Sequence, residues 1–182
     1  MKFLLLVALL FGVASAQFGF FRRSPQNRFN NNFVRGGRVP VDQRLGNSEY
    51  HFSWLYAGPN AKWEWPGAVS YCRSLGREWA PISITSRAEN DLAVNAISRG
   101  RVDYIWTGGH IRNGRWSWLH GDPFVDIGAW SRTGGFRRPQ PDNREGNESC
   151  LSILNHIYPQ DTITWHDVGC SHRKPTICER RI

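Results

Sequence analysis

The stretch CLSILNHIYPQDTITWHDVGCSHRKPTICE, residues 150 to 179, decides the fold. It holds three of the four cysteines and three short runs, CLSIL, TITWHD and PTICE, separated by Asn, Pro, Gly and Asp. Short runs rich in β-branched and aromatic residues between turn residues read as strands. Two more, YIWTGG from residue 104 and RWSWL from residue 115, precede them. Between RWSWL and CLSIL lie residues 120 to 149, rich in Gly, Pro, Arg and Asp and without periodicity. Loops of that length inside a compact domain are usually functional or disordered.

Upstream the period changes. Trp65, Ala68, Val69, Cys72 and Leu75 fall at helical intervals, with Pro66 at an early helical position and Gly76 placed to stop the helix. A second helix is announced by SRAE, in which Ser86 and Glu89 cap one another. Leu92, Ala93, Ala96 and Ile97 then share one face, and Gly100 stands after the end. The aromatic run YHFSWLY, residues 50 to 56, reads as a first strand. Strand, helix, helix and then several strands with a long inserted loop make an α+β arrangement.

The chain opens with MKFLLLVALLFGVASA, whose short apolar run and Ala-Ser-Ala ending fit a signal peptide over residues 1 to 16. That run is too short to span a bilayer and no later stretch is apolar enough, so a secreted protein without a membrane span is expected. Residues 17 to 49 form an Asn/Arg/Gly/Phe-rich leader, expected to be disordered, with Arg22, Arg23, Arg28, Arg35, Arg38 and Arg44 against Asp42 and Glu49. Removing Lys2 with the signal leaves 22 basic and 15 acidic residues, so +8 becomes +7. The basic arm suits anionic matrix polymers through counterion release, whereas secretion excludes nucleic acid as the partner. Cys72, Cys150, Cys170 and Cys178 are an even set in an oxidising compartment, so two disulfides are expected. Three pairings are open, and no CxxC spacing points to zinc or redox chemistry.

Taken in order, YCRSLG, ITSRAENDLA, WTGG, RWSW, QPDN, ESC, WHDVGC and ICE resemble the C-type lectin-like domain family over roughly residues 50 to 180. The resemblance implies one domain over residues 50 to 182, with two helices, short and mostly antiparallel strands, a long loop region and two disulfides. It implies the pairs Cys72–Cys178 and Cys150–Cys170. In sugar-binding members a calcium ion in the long-loop region binds two neighbouring sugar hydroxyls. Gln140, Asp142, Glu148 and Asp167 match four of the five ligand positions, and the fifth falls on His166, within Trp165-His166-Asp167. Calcium takes six to eight oxygens, which amide and carboxylate groups supply, whereas the imidazole of His166 supplies nitrogen, better suited to zinc or copper. One calcium at most is implied, because Ser149 stands where the auxiliary site has an acid.

The Gln140-Pro141-Asp142 sequence goes with galactose-type sugars in the family, and the bond before the proline is often cis. Trp130 or Phe136 is the aromatic available to stack on the sugar. Gln140, Asp142, Glu148, His166 and Asp167 are thus the expected ligand-binding set. Asn147, in the sequon Asn147-Glu148-Ser149, is a candidate N-glycan acceptor beside that set.

Enzyme readings find less support. His166, His172 and Asp167 lack a fourth zinc ligand at a known spacing, and no GxSxG elbow accompanies the Ser, His and Asp residues. Glu145 and Glu148 resemble a glycosidase pair, but metal ligation or solvation explains them more economically. The expected function is non-enzymatic recognition of glycans or glycoproteins outside the cell, in innate immunity against microbes or in the matrix. The alternative is a calcium-independent structural or adhesive protein of an extracellular matrix or coat.

Overall fold

The computed structural model describes residues 38 to 182 except Pro59. The expected signal peptide, residues 1 to 16, and residues 17 to 37 of the expected leader lie outside the described residues. Two antiparallel sheets organise the rest. In chain order the elements are β1 (Gln43–Leu45), β2 (Ser48–Phe52), α1 (Ser53–Tyr56), α2 (Trp65–Leu75), β3 (Ala80–Pro81) and α3 (Arg87–Gly100). They continue with β4 (Tyr104–Arg112), β5 (Arg115–Trp118), β6 (Cys150–Asn155), β7 (Ile163–Val168) and β8 (Ile177–Arg181). One sheet runs β1-β2-β8-β3 and the other β5-β4-β6-β7. The α+β class and the C-type lectin-like arrangement agree with expectation. No helix among the described residues is long and apolar enough to cross a membrane.

The core has two parts. Ile82, Ile84, Leu92, Ile97, Ile105, Leu151, Ile153, Trp165 and Ile177 gather between α3 and the sheets. Trp63, Tyr71, Trp79, Trp106 and both disulfides form the second cluster, under α2. Of the tryptophans of WTGG and RWSW, Trp106 and Trp118 are core residues and Trp116 packs half-buried against the core. The disulfides are Cys72–Cys178 and Cys150–Cys170, with Cα–Cα separations of 5.4 and 5.3 Å. They close sequence separations of 106 and 20 residues, worth about 5 and about 3 kcal/mol on the chain-entropy model.

Several local expectations change. Strand β1 and the start of β2 lie inside the segment read as leader, so the sheet begins before residue 50. Charge pairing across strands stands in for apolar pattern there: Glu49 pairs with Arg44 and Arg180 at 2.7 Å each. Those hydrogen bonds, Arg44 first and then Arg180, hold its carboxyl below the ordinary value. The run 50 to 56 is strand only to Phe52, which faces Ile177 at the start of β8. Beyond that pair β2 has no partner strand, and Ser53 takes the Thr176 amide on its hydroxyl at 2.9 Å while its carbonyl starts α1. This one-turn helix raises the helix number among the described residues to three.

Helix α3 starts as expected, with the Glu89 amide donating to Ser86 Oγ at 3.2 Å. The return cap differs, because the Glu89 carboxylate accepts the amide of Thr85 at 2.8 Å. Gly100 belongs to the helix rather than following it, and Arg101 takes the left-handed cap at φ 50°. A Cβ on Gly100 would lie 2.8 Å from Trp54 Nε1, so packing explains this glycine. Strand β3, two residues long, had no period from which to be read.

Candidate functional site

The loop between β5 and β6 folds back over the head of the second sheet. Trp165 anchors its middle through two backbone hydrogen bonds: its amide donates to Ala129 O at 2.9 Å and its carbonyl accepts the Ser131 amide at 3.0 Å. Ser131 O then accepts the Gln140 amide at 2.8 Å, closing residues 131 to 140 into a sub-loop. The Gln140–Pro141 peptide is cis. Gln140, Asp142, Glu148, His166 and Asp167 all line one cavity of about 200 Å³. The structure therefore brings the whole expected set to one place.

Strand β7 and the β6 approach supply the acids. Leu151 pairs with Asp167 and Cys150 with Val168. The adjacent Cys150–Cys170 bond thus clamps the segment carrying Glu148 to the one carrying Asp167. Asp167 organises the loop in turn, since its two oxygens accept the amides of Asp142 at 3.1 Å and Asn143 at 2.7 Å. Asn143, at φ 45°, passes the constraint on by accepting the Glu148 amide on Oδ1 at 3.0 Å.

The result is three carboxylates, Asp142, Glu148 and Asp167, whose ligand atoms lie within 4.8 Å of one another. Among the described residues no other group of three His, Cys, Asp or Glu side chains gathers in this way. Asp142 Oδ2 and Glu148 Oε2 are buried and have no hydrogen-bond partner. Burial pushes the Glu148 carboxyl up, with the Asp167 charge adding to it. Burial also raises Asp167, against the pull of the Asn143 and Asp142 amides. Oxygens sharing one calcium at 2.3 to 2.6 Å are at most about 5.2 Å apart, so the donor set fits a hard divalent cation.

His166 is engaged elsewhere. It is 1% exposed, and its Nε2 lies 2.8 Å from Asp161 Oδ2. A carboxylate only accepts, so Nε2 carries the proton and donates it. Burial holds this imidazole below its ordinary value despite the Asp161 charge. Asp161 also accepts from Ser131 Oγ at 2.8 Å, the Thr162 amide at 2.9 Å and Thr164 Oγ1 at 2.8 Å. Sequence reasoning missed Asp161, which sits in an irregular stretch and belongs to no motif. His172 faces Glu145 at 2.9 Å, apart from His166 and Asp167. Burial works upward on Glu145, but His172 and Arg144 together bring its carboxyl below the ordinary value.

The rim is glycine-rich and basic. A Cβ on Gly134 would meet the Gln140 amide nitrogen at 2.1 Å, and one on Gly135 would meet the Arg144 guanidinium at 2.1 Å. Only glycine allows both side chains to lie across the sub-loop. Phe136, 63% exposed, stands at its tip, with Arg144 5.7 Å from the ring centroid. Trp130 is absorbed instead into an aromatic cluster, tilted against Trp116 and edge-to-face with Trp165, at centroid distances of 5.2 and 5.7 Å. Asn147 is exposed in the turn before Glu148.

Comparison with known proteins agrees with the fold. The family profile described as "Lectin C-type domain" matches residues 61–180. Salivary C-type lectin 2 of Aedes albopictus is 27% identical over 134 residues, which are 69% of this chain and 83% of that protein. The trimeric Kupffer cell C-type lectin receptor Clec4f is 26% identical, with a TM-score of 0.57 over 77% of this chain and 82% of its own. SPL-1, solved with GlcNAc, shares the fold at 23% identity and a TM-score of 0.57, over 75% of this chain and 90% of its own. With the motif order, the paired cysteines, the two sheets and a profile match over most of its length, the chain belongs to the C-type lectin domain family.

Proposed function

We propose that this protein is a secreted, non-enzymatic lectin that recognises extracellular glycans of galactose type through one calcium ion held by Gln140, Asp142, Glu148 and Asp167. The observation that carries the reading is the pair of buried, unpartnered oxygens on Asp142 and Glu148, beside Asp167 and within 4.8 Å. Burying like charges together without a cation is unfavourable. Bound there, calcium supplies open coordination positions to two neighbouring sugar hydroxyls. Gln140 and the carboxylates orient those hydroxyls by hydrogen bonds, and the exposed ring of Phe136 offers an apolar face to the sugar. The family membership and the salivary lectin relative support glycan binding outside the cell. A glycan on exposed Asn147 would sit at the mouth of the cavity.

One observation favours the second reading, a calcium-independent adhesive or coat protein: His166, at the fifth ligand position, is locked to Asp161. Thermal melts in calcium and in EDTA separate the two readings. Calcium at ten times its Kd is expected to add about 1.4 kcal/mol of stability, with EDTA-reversible retention on galactose resin. Unchanged melting and retention in EDTA would overturn the calcium reading, and calcium binding gained only by His166→Asn would assign the natural protein to the second.

A further inference from the structure

The cavity has a cationic wall that cation and hydroxyl binding do not use. Lys174 lines it together with the carboxylates and is only 5% exposed. Its ammonium rests 4.3 Å from the Tyr104 ring centroid and 5.2 Å from that of Trp106. It has no ion pair or hydrogen bond with any described residue. A second ammonium, Lys62 Nζ, lies 4.8 Å from the same ring centroid and donates to the tyrosine hydroxyl at 2.9 Å. A buried ammonium without an anionic partner is costly, and ring faces offset only part of that cost.

The mouth is cationic as well. Arg144, also lining the cavity, lies 5.7 Å from the Phe136 ring and 5.9 Å from that of Tyr158. Of its neighbours only Glu145 pairs with it, at 3.1 Å. The sub-loop adds Arg132, Arg137 and Arg138, all exposed and without a carboxylate partner among the described residues. No acid occurs between Ile127 and Pro141. Planar guanidinium groups match the oxygens of sulfate and carboxylate, and such charge-assisted bonds are the stronger ones.

We propose that the glycan read here carries an anionic substituent, a sulfate ester or a carboxylate on the sugar in the cavity, received by Lys174 and Arg144. The arginines of the sub-loop draw the acidic chain toward the mouth. The proposal rests on the glycan reading and adds the substrate class to it. An anion in the cavity answers the Lys174 ammonium, which has no ion pair among the described residues, and shares the Arg144 guanidinium with Glu145, while the neutral hydroxyls remain for the carboxylates.

The test compares full-length protein on matched ligands: galactose, sulfated galactose and galacturonic acid, each in calcium and in EDTA. At least one anionic form is expected to bind roughly tenfold tighter than galactose, with the advantage shrinking as salt rises. A preference for the sulfate assigns a sulfated chain, and one for the uronic acid a carboxylated chain. Lys174→Met and Arg144→Gln are expected to bring the anionic-to-neutral affinity ratio toward one, and Lys174→Arg to keep it. Should a variant unfold, the ratio and its salt dependence in the natural protein decide alone. Equal affinity for neutral and anionic forms would overturn the proposal and leave the lectin reading standing, as would variants that keep the ratio. Anionic binding that persists undiminished in EDTA supports the proposal and removes calcium from the reading. Absence of binding to all three sugars overturns both.

Discussion

Asp161 and Glu148 are both buried acids, one in the β6–β7 connection against Ser131 of the long loop and one near the end of that loop, and their surroundings are opposite. Asp161 accepts from Ser131, Thr162, Thr164 and His166, so the protein itself satisfies its carboxylate. Glu148 keeps an oxygen without a partner, beside the like charge of Asp167. A carboxylate surrounded by donors fastens structure, whereas one left open awaits a ligand. The long loop needs both kinds: Asp161 holds Ser131, where the sub-loop begins, and the open acids lie where it ends.

The contrast can be broken most forcefully at its closed end. Asp161→Ala removes the acceptor of one backbone and three side-chain donors, and is expected to cost about 3 kcal/mol, read by chemical denaturation. A loss below about 1 kcal/mol would mean that water replaces Asp161 readily and that the closed site fastens little.

Lys174 sharpens the contrast from the opposite charge. Burial pushes its pKa down to about 8, against about 10.4 in an unfolded chain. Between those values the unfolded state binds more protons, so stability rises with pH. From pH 8 to 10 the gain is expected to be on the order of 2 kcal/mol, and to vanish in Lys174→Met. A profile identical in the variant would show that the natural Lys174 is already neutralised by an anion or by water.

The smallest effect has the reverse sign. Glu148→Gln removes a charge from the crowded trio, so in EDTA it is expected to stabilise the fold by about 1 kcal/mol, read as a higher Tm. In calcium the same change should abolish the metal-dependent rise. A loss of stability in EDTA would place Glu148 with the closed acids.

Much of the scaffold was legible because its signals are local or carried by motif order. Ser86 and Glu89 announced α3, and the apolar positions from Trp65 to Leu75 announced α2. The candidate site was legible as a group, since the structure gathers Gln140, Asp142, Glu148 and Asp167 in one cavity. Relations between distant polar side chains could not be read in this way. Nothing in the sequence near Asp161 says that it faces His166, and nothing near Lys174 says that its partners are rings. Strand β1 escaped because its support comes from Arg180, 136 positions after Arg44, rather than from an apolar pattern of its own. Gly100 misled for a different reason: glycine at a helix end signals a cap, yet here it makes room for Trp54.

The loop between Trp118 and Cys150 leaves and re-enters the second sheet beside the same strand. Trp118 pairs with Gly109 of β4, and Cys150 pairs with the next residue, His110. Its two ends are therefore held about two strand spacings apart, roughly 10 Å, and the re-entry point is bolted by Cys150–Cys170. Extra residues in an excursion so closed cost little, since doubling a flexible loop adds only about 0.6 kcal/mol. The frame thus works as a cassette holder: mutation can rewrite the loop between Trp118 and Cys150 while the register of the sheet beneath it stays fixed.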